Sequence, residues 1–139
     1  MIDLKITLEA GKSNGLMSIT INDIQGNNYP VGALVEGTNI ISLNVTTPNK
    51  LILTILGKNN KRDTVLDNVT GAIIKDKFVK VVSLEIDGKP LNEHRVAKMF
   101  VLKTVDGNDV KSAFWGFNGT VELDLPYKDS LDFHLSNLG

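Results

Sequence analysis

Cysteine is absent from this chain of 139 residues, and histidine is scarce, with His94 and His134 as its two copies. Without cysteine the protein can form no disulfide and no thiolate metal site. Two separated histidines do not supply the four close ligands of a zinc site, and no serine lies in the Gly-x-Ser-x-Gly setting of a hydrolase nucleophile. The 16 acidic residues could include a glycosidase-like carboxylate pair. Nearly all of them, however, lie in turns or at the polar positions of alternating strands. The sequence therefore predicts a protein that is not an enzyme.

The two signs of charge nearly balance, with 15 basic and 16 acidic residues. Nucleic-acid-binding proteins carry a basic surplus that neutralises phosphates, so we expect no nucleic-acid partner. No apolar run reaches the roughly 18 residues that span a bilayer, so we expect no membrane segment. Met1 leads directly into an alternating stretch, which is unlike a signal peptide and predicts a protein made in the cytoplasm.

Helical periodicity is also scarce, and a period of two residues runs through the chain instead. The first example alternates Ile2, Leu4, Ile6 and Leu8 with polar neighbours, which is typical of a strand with one buried face. About nine to eleven such segments, separated by turn signals, indicate a sandwich or a barrel. No linker or internal repeat divides the chain. We therefore predict one all-β domain over residues 1–139, an antiparallel two-sheet β-sandwich with no true helix.

Several local patterns refine this prediction. The period slips near Ser83, as a β-bulge would make it slip. The dipeptides at 87–88 (Asp-Gly) and 118–119 (Asn-Gly) carry the residues of tight hairpin turns. Residues 91–105 are ambiguous, because they can begin as a helical turn before an alternating strand. The alternation of leucine and phenylalanine across residues 131–135 predicts a final strand.

The least regular stretch is residues 57–71, which are rich in Asn, Asp and Lys. Long loops are uncommon within compact domains and often carry function. Here and just beyond lie two candidate ligand-binding amides and three candidate metal-binding carboxylates: Asn59, Asn60, Asp63, Asp67 and Asp76. Calcium prefers such oxygen ligands. The alternative is ordinary turn chemistry, in which Asp and Asn side chains accept backbone N–H bonds.

The second candidate cluster is the aromatic stretch Phe114, Trp115 and Phe117. Exposed aromatic rings cover the apolar faces of sugars, while polar neighbours bond the sugar hydroxyls. Alternation puts Trp115 and Phe117 on one face of a strand and Phe114 on the other. If Phe114 is inside, Trp115 and Phe117 form an outward ligand-binding pair. If the only tryptophan anchors the core, Phe114 faces outward.

The order of these features resembles the jelly-roll carbohydrate-binding modules, including the calcium-dependent xylan-binding type. The resemblance rests on residues 35–39 (VEGTN) before an alternating strand, on the Asp-bearing loop, and on a strand that ends at residues 86–88 (IDG). The chain is also similar to small β-sandwich proteins of tailed bacteriophages, through residues 63–67 (DTVLD), 73–77 (IIKDK) and 116–119 (GFNG).

These resemblances imply a non-catalytic binding module on a phage virion surface, in a fibre, tail or head decoration. Its partner would be a glycan or another virion protein, and calcium would be its candidate cofactor. The alternative is a structural assembly protein without glycan binding. Such a protein would use its sheet edges and an apolar face to contact copies of itself, as a homo-oligomer, or a capsid or tail protein.

Overall fold

The computed structural model describes residues 1–12, 15–57, 65–66, 73–75, 78–103, 109–115, 119–128 and 130–137, with the backbone alone at 65–66, 73–75, 130, 134 and 136–137. The strands within these ranges are β1 (Ile2–Gly11), β2 (Ser18–Asp23), β3 (Asn28–Tyr29), β4 (Gly37–Val45), β5 (Asn49–Leu56), β6 (Val65–Leu66), β7 (Ile73–Lys75), β8 (Phe78–Ile86), β9 (Lys89–Pro90), β10 (Phe100–Lys103), β11 (Asp109–Lys111), β12 (Phe114–Trp115) and β13 (Gly119–Leu125). The helices are α1 (Glu93–Met99) and α2 (Ser130–Asn137).

The strands form two main sheets, and their pairing is antiparallel throughout the described residues. Sheet A has the order β12-β8-β1-β4, with β9 paired to β8. Sheet B has the order β11-β10-β13-β5-β2-β3, and β6 pairs with β7 separately. This arrangement confirms the predicted fold class, an antiparallel two-sheet β-sandwich.

Alternating burial explains why the two sheets pack together. In β1 every second side chain is buried, namely Ile2, Leu4, Ile6, Leu8 and Ala10. In β5 the side chains of Leu51, Leu53 and Ile55 are buried, and the intervening Ile52 and Thr54 are half-buried. Because β5 lies between β13 and β2, the apolar pattern on both of its faces correctly indicates a central strand.

Two of the predicted irregularities are confirmed. Thr7 of β1 pairs with Ser83, but the next residue of β1 pairs with Val81, so Val82 is an extra residue on β8. This two-against-one register is a β-bulge at the place where the period slips. At the end of β8, Asp87 and Gly88 have φ angles of 50° and 84°, as a type I′ hairpin turn requires.

The prediction that the chain has no true helix is wrong. The ambiguous segment forms α1 before it becomes β10, and the side chain of Asn92 accepts a hydrogen bond from the backbone N–H of His94 at 2.9 Å. An N-cap of this kind compensates an N–H group that the first helical turn leaves free. Neither described helix is long and apolar enough to cross a membrane.

The predicted final strand is also wrong, because this segment forms α2. Phe133 is buried, whereas Leu131 and Leu135 are 64% and 56% exposed. Positions two apart share one face of a strand but lie on nearly opposite sides of a helix, so only Phe133 reaches the core. The Phe133 ring meets the Tyr127 ring edge-on at a centroid distance of 5.0 Å, and Arg95 donates a hydrogen bond to the backbone carbonyl of Phe133 at 2.7 Å.

The Asn-Gly dipeptide at 118–119 does not join a hairpin. The strand before it, β12, belongs to sheet A, and the strand after it, β13, belongs to sheet B. Because these two strands do not pair with each other, the hairpin expected from the dipeptide is wrong. By contrast, the strands on either side of residues 104–108 do pair, as Lys103 with Asp109.

Candidate functional site

The Asp- and Asn-rich cluster falls outside the described residues. This applies to every residue that the sequence proposes there: Asn59, Asn60, Asp63, Asp67 and Asp76. Among the residues that the structure does describe, no group of three His, Cys, Asp or Glu side chains could hold a metal ion. Calcium binding therefore remains a prediction that rests on the carboxylates of Asp63, Asp67 and Asp76. The described residues supply no other calcium site.

In the aromatic stretch, the tryptophan is the buried residue. Trp115 has no exposed surface, and it meets Phe100 edge-on at a centroid distance of 5.4 Å. Its indole N–H donates a hydrogen bond to the carbonyl of Ser112 at 2.9 Å. A ring buried this completely offers no face to a sugar, so the expectation that Trp115 contacts a ligand is corrected. Its expected partner in that pair, Phe117, lies outside the described residues.

Phe114 is the outward member of the stretch, with 47% of its surface exposed. It pairs with Lys80 across the edge of sheet A. The hydroxyl of Ser112 accepts a hydrogen bond from the Phe114 N–H at 3.2 Å and donates to the Phe114 carbonyl at 2.8 Å. These two bonds and the buried Trp115 hold the backbone of β12, so the direction of the Phe114 side chain is defined.

The Phe114 ring is stacked on Phe78, with centroids 5.1 Å apart and planes 22° apart. Phe78 in turn lies over Gly11 of β1, where a Cβ atom would come within 2.2 Å of the Phe78 Cε1 atom. Glycine at this strand position therefore leaves space for the phenylalanine ring. We call Phe78 and Phe114 the aromatic platform.

The aromatic platform continues into a row of polar side chains on the outer face of sheet A. Phe114 pairs with Lys80, Lys80 with Glu9, and Glu9 with Thr38, and all four side chains are exposed. Directly opposite side chains on neighbouring strands lie close enough to share one ligand. Among the residues that the structure describes, neither Lys80 nor Glu9 has an ion-pair partner.

A recess of about 390 Å³ adjoins this row, between sheet A and α1. Its lining includes Glu9, Lys80, Val82, Glu93, Ala97 and Ala113. The volume lies in the range of small-molecule sites, and the lining mixes apolar side chains with a few charged groups, as such sites do. Since Lys80 and Glu9 line the recess and also flank the platform, the two features form one continuous surface.

A second depression on the same sheet, of about 440 Å³, lies near the other end of β1. Its polar groups bond to one another: Asn44 donates to the Asp3 carboxylate at 2.6 Å, and Lys5 lies 3.6 Å from Glu85. A ligand would have to replace these existing contacts. The depression is therefore a weaker candidate than the platform and its recess.

The described residues include a buried carboxylate that the sequence pattern did not single out. Asp23, at the end of β2, is 5% exposed and accepts backbone hydrogen bonds from Gln25 and Asn27 at 2.9 Å each. It also accepts from the side-chain amides of Asn27 and Asn49 at 3.0 Å each, and from the Tyr29 hydroxyl at 2.7 Å. Donors from the chain itself thus surround the carboxylate.

Burial alone would raise the pKa of the Asp23 carboxyl, but the hydrogen bonds from Tyr29, Asn27 and Asn49 outweigh it and hold that pKa well below its usual range. Burial, together with the hydrogen bond to Asp23 and its charge, raises the pKa of Tyr29 to about 12. This network ties the turn after β2 to β5. The signal was present in the sequence, because Asp23 has the same parity as the inward residues Ile19 and Ile21.

No family model matches this chain, and no curated protein matches it. Among solved structures, it is similar to the selenomethionine form of vCBM60, described with a circular permutation that links two families of calcium-dependent carbohydrate-binding modules. The TM-score is 0.56 at 12% identity, over 89% of this chain and 91% of that chain. For vCBM60 in complex with galactobiose the TM-score is 0.53 at 12% identity, over 88% of this chain and 97% of that chain. The likeness shows that this chain has the β-sandwich fold of these carbohydrate-binding modules.

Proposed function

We propose that this protein is a non-catalytic, carbohydrate-binding-like module. The observation that carries the proposal is the structural likeness to vCBM60, which extends over nearly the full length of both chains. One of those two structures is a complex with galactobiose, so this sandwich architecture accommodates a sugar ligand in at least that protein. The absence of a nucleophile–base motif from the sequence supports binding without catalysis.

Calcium dependence and a phage virion location belong to the same proposal. The likeness to vCBM60, described among calcium-dependent modules, supports calcium, with Asp63, Asp67 and Asp76 as its expected ligands. Asn59 and Asn60 would then contact the glycan from the same loop. The virion location is supported by the sequence resemblance to small phage sandwich proteins, which serve as fibre, tail or head-surface parts.

A glycan array of neutral and charged oligosaccharides, probed with the wild-type protein in calcium and then in EDTA, tests this function. We expect binding to a subset of the array. Loss in EDTA and in Asp67→Ala, with retention in Asp124→Ala, would support the calcium loop; Asp124 is an exposed aspartate of β13 and serves as the matched control. Silence of the wild-type protein on the whole array, in both conditions, would overturn the proposal.

The second candidate function is structural assembly, and one feature of sheet A favours it. Among the described residues, β4 pairs with β1 on one side only and forms the edge of the sheet. It is nine residues long, contains no charged residue, and presents Ile40 with 58% exposure. Long uncharged edge strands readily pair with another chain, and most proteins protect them with charges or prolines.

Sedimentation velocity at micromolar concentrations tests the assembly function. We expect the wild-type protein to form a dimer or larger species that Ile40→Lys converts to a monomer. Val110→Lys is the matched control, since Val110 is 45% exposed on β11 at the edge of sheet B. A wild-type protein that stays monomeric over the whole concentration range would contradict self-assembly.

A further inference from the structure

We propose that the aromatic platform, Lys80, Glu9 and the adjoining recess form a binding site for a neutral oligosaccharide, with one sugar ring stacked on Phe114. This inference rests on the proposed carbohydrate-binding function and gives it a site on the outer face of sheet A. The described residues of this site lie in strands β1, β8 and β12, at Ala113 just before β12, and in helix α1.

The shape of the platform suits a sugar ring. Phe78 covers one face of the Phe114 ring, so we assign the 47% exposure of Phe114 to the opposite face. Sugars present a flat patch of C–H groups that packs on an aromatic face. The Ser112 hydroxyl fixes the Phe114 backbone, and the stack on Phe78 restrains the ring, so binding would cost little side-chain freedom.

The charges beside the platform fit a neutral ligand. Lys80 carries three donors and Glu9 is an acceptor, so together they can bond hydroxyl groups, which both donate and accept. Their charges are opposite and adjacent across the β1–β8 pair, so they cancel for a ligand that spans both. An anionic polymer would meet Glu9 and, in the recess, Glu93 as repulsive groups. The arrangement therefore favours neutral glycans.

The recess extends the site beyond one sugar unit. It begins at Ala113 and Lys80, next to Phe114, and continues to Val82 and Glu93. A chain whose first ring lies on Phe114 would place its next ring in the recess, where Val82 offers apolar surface and Glu93 an acceptor. Affinity is therefore expected to increase from monosaccharide to disaccharide.

The decisive experiment is isothermal titration calorimetry with galactobiose and with the neutral oligosaccharide that gives the strongest array signal. The variants are Phe114→Leu, which keeps an apolar side chain on β12 but removes the aromatic face, and Phe114→Tyr, which restores it. Lys80→Gln removes the ammonium group. Val110→Ala is the control, because Val110 has nearly the same exposure on the opposite sheet.

We expect Phe114→Leu to weaken the affinity by about tenfold, since the aromatic face on which the sugar ring is proposed to stack is lost. Phe114→Tyr should restore affinity to within a factor of about three, Lys80→Gln should weaken it by roughly threefold to tenfold, and Val110→Ala should leave it unchanged. Native fluorescence of Trp115, which follows Phe114 in β12 and is buried, verifies the fold of each variant.

The outcomes separate this site from the proposed function. If the wild-type protein binds no glycan, the proposed function fails and the site fails with it. If the wild-type protein binds and folded Phe114→Leu and Lys80→Gln bind equally well, the site is wrong while the carbohydrate-binding function stands. Loss of affinity in EDTA with unchanged affinity in Phe114→Leu would place the sugar elsewhere. An effect of Phe114→Leu on sedimentation but not on glycan affinity would make the platform a protein contact, and would equally overturn this site.

Discussion

The opposite orientations of Trp115 and Phe114 predict different costs for truncating each ring. Trp115→Ala removes a side chain with no exposed surface, together with its edge-on contact with Phe100. It also removes the indole N–H that donates to the Ser112 carbonyl at 2.9 Å. Core substitutions of this kind cost about 3–5 kcal/mol of unfolding free energy. We expect a value in the upper half of that range, because a hydrogen bond is lost as well as packing.

Phe114→Ala should cost less. The ring is 47% exposed, so only about half of the ~1.5–3 kcal/mol contributed by full burial of a large apolar side chain is lost. The stacked contact with Phe78 adds about 0.5–1.5 kcal/mol. Together these contributions amount to about 1–3 kcal/mol. The two alanine variants should therefore differ by roughly 2 kcal/mol, with Trp115→Ala the less stable.

Urea unfolding followed by far-UV circular dichroism measures both variants without using tryptophan emission. Val110→Ala, on the surface of sheet B, should remain within about 0.5 kcal/mol of the wild-type protein. In the wild-type protein, iodide should quench the emission of the single tryptophan weakly in the native state and strongly in urea. Equal or reversed costs for Trp115→Ala and Phe114→Ala, or strong quenching in the native state, would refute the assigned orientations.

Two further predictions concern the Asp23 network and α2. Because the folded-state pKa of Asp23 is depressed, its stabilising contribution is complete above the unfolded-state value of 3.8 and is lost as the pH falls below it towards the folded-state pKa. Urea midpoints should therefore fall in the acid range, and Asp23→Asn should flatten that fall; an unchanged slope would contradict the network. Phe133→Ala should cost about 3–5 kcal/mol and Leu131→Ala less than about 0.5 kcal/mol. Similar costs for the two would indicate a strand in which they share a face.

The two proposals place different demands on sheet A. Glycan binding uses its outer face near the β12 edge, at Phe114 and Lys80, whereas assembly uses the opposite edge, at Ile40 of β4. Because β8 and β1 lie between Phe114 on β12 and Ile40 on β4, a variant at either of these two positions should leave the property tested at the other unaffected. Additivity of Phe114→Leu and Ile40→Lys in glycan affinity and sedimentation would therefore show two independent surfaces on one sheet.

Period-two alternation made most of this sandwich predictable from the sequence. It identified the inward residues of β1, β4, β5 and β13, because a strand can bury only one parity of side chains when its other face meets water. The bulge at Val82 and the Asp-Gly turn after β8 were equally visible, since each leaves a local mark on the pattern. These local features can be recognised without knowing which strands pair with them or pack against them.

Only the tertiary structure decided which way the aromatic stretch faces. Alternation establishes that Phe114 and Trp115 lie on opposite faces of β12, but it does not say which face meets sheet B. The answer comes from the core, where a large ring fits beside Phe100 and its N–H reaches the Ser112 carbonyl. The same limit explains the errors at residues 118–119 and 131–135. Turn residues do not determine which strands pair, and one buried Phe133 suits a helix as well as a strand until its neighbours Arg95 and Tyr127 are known.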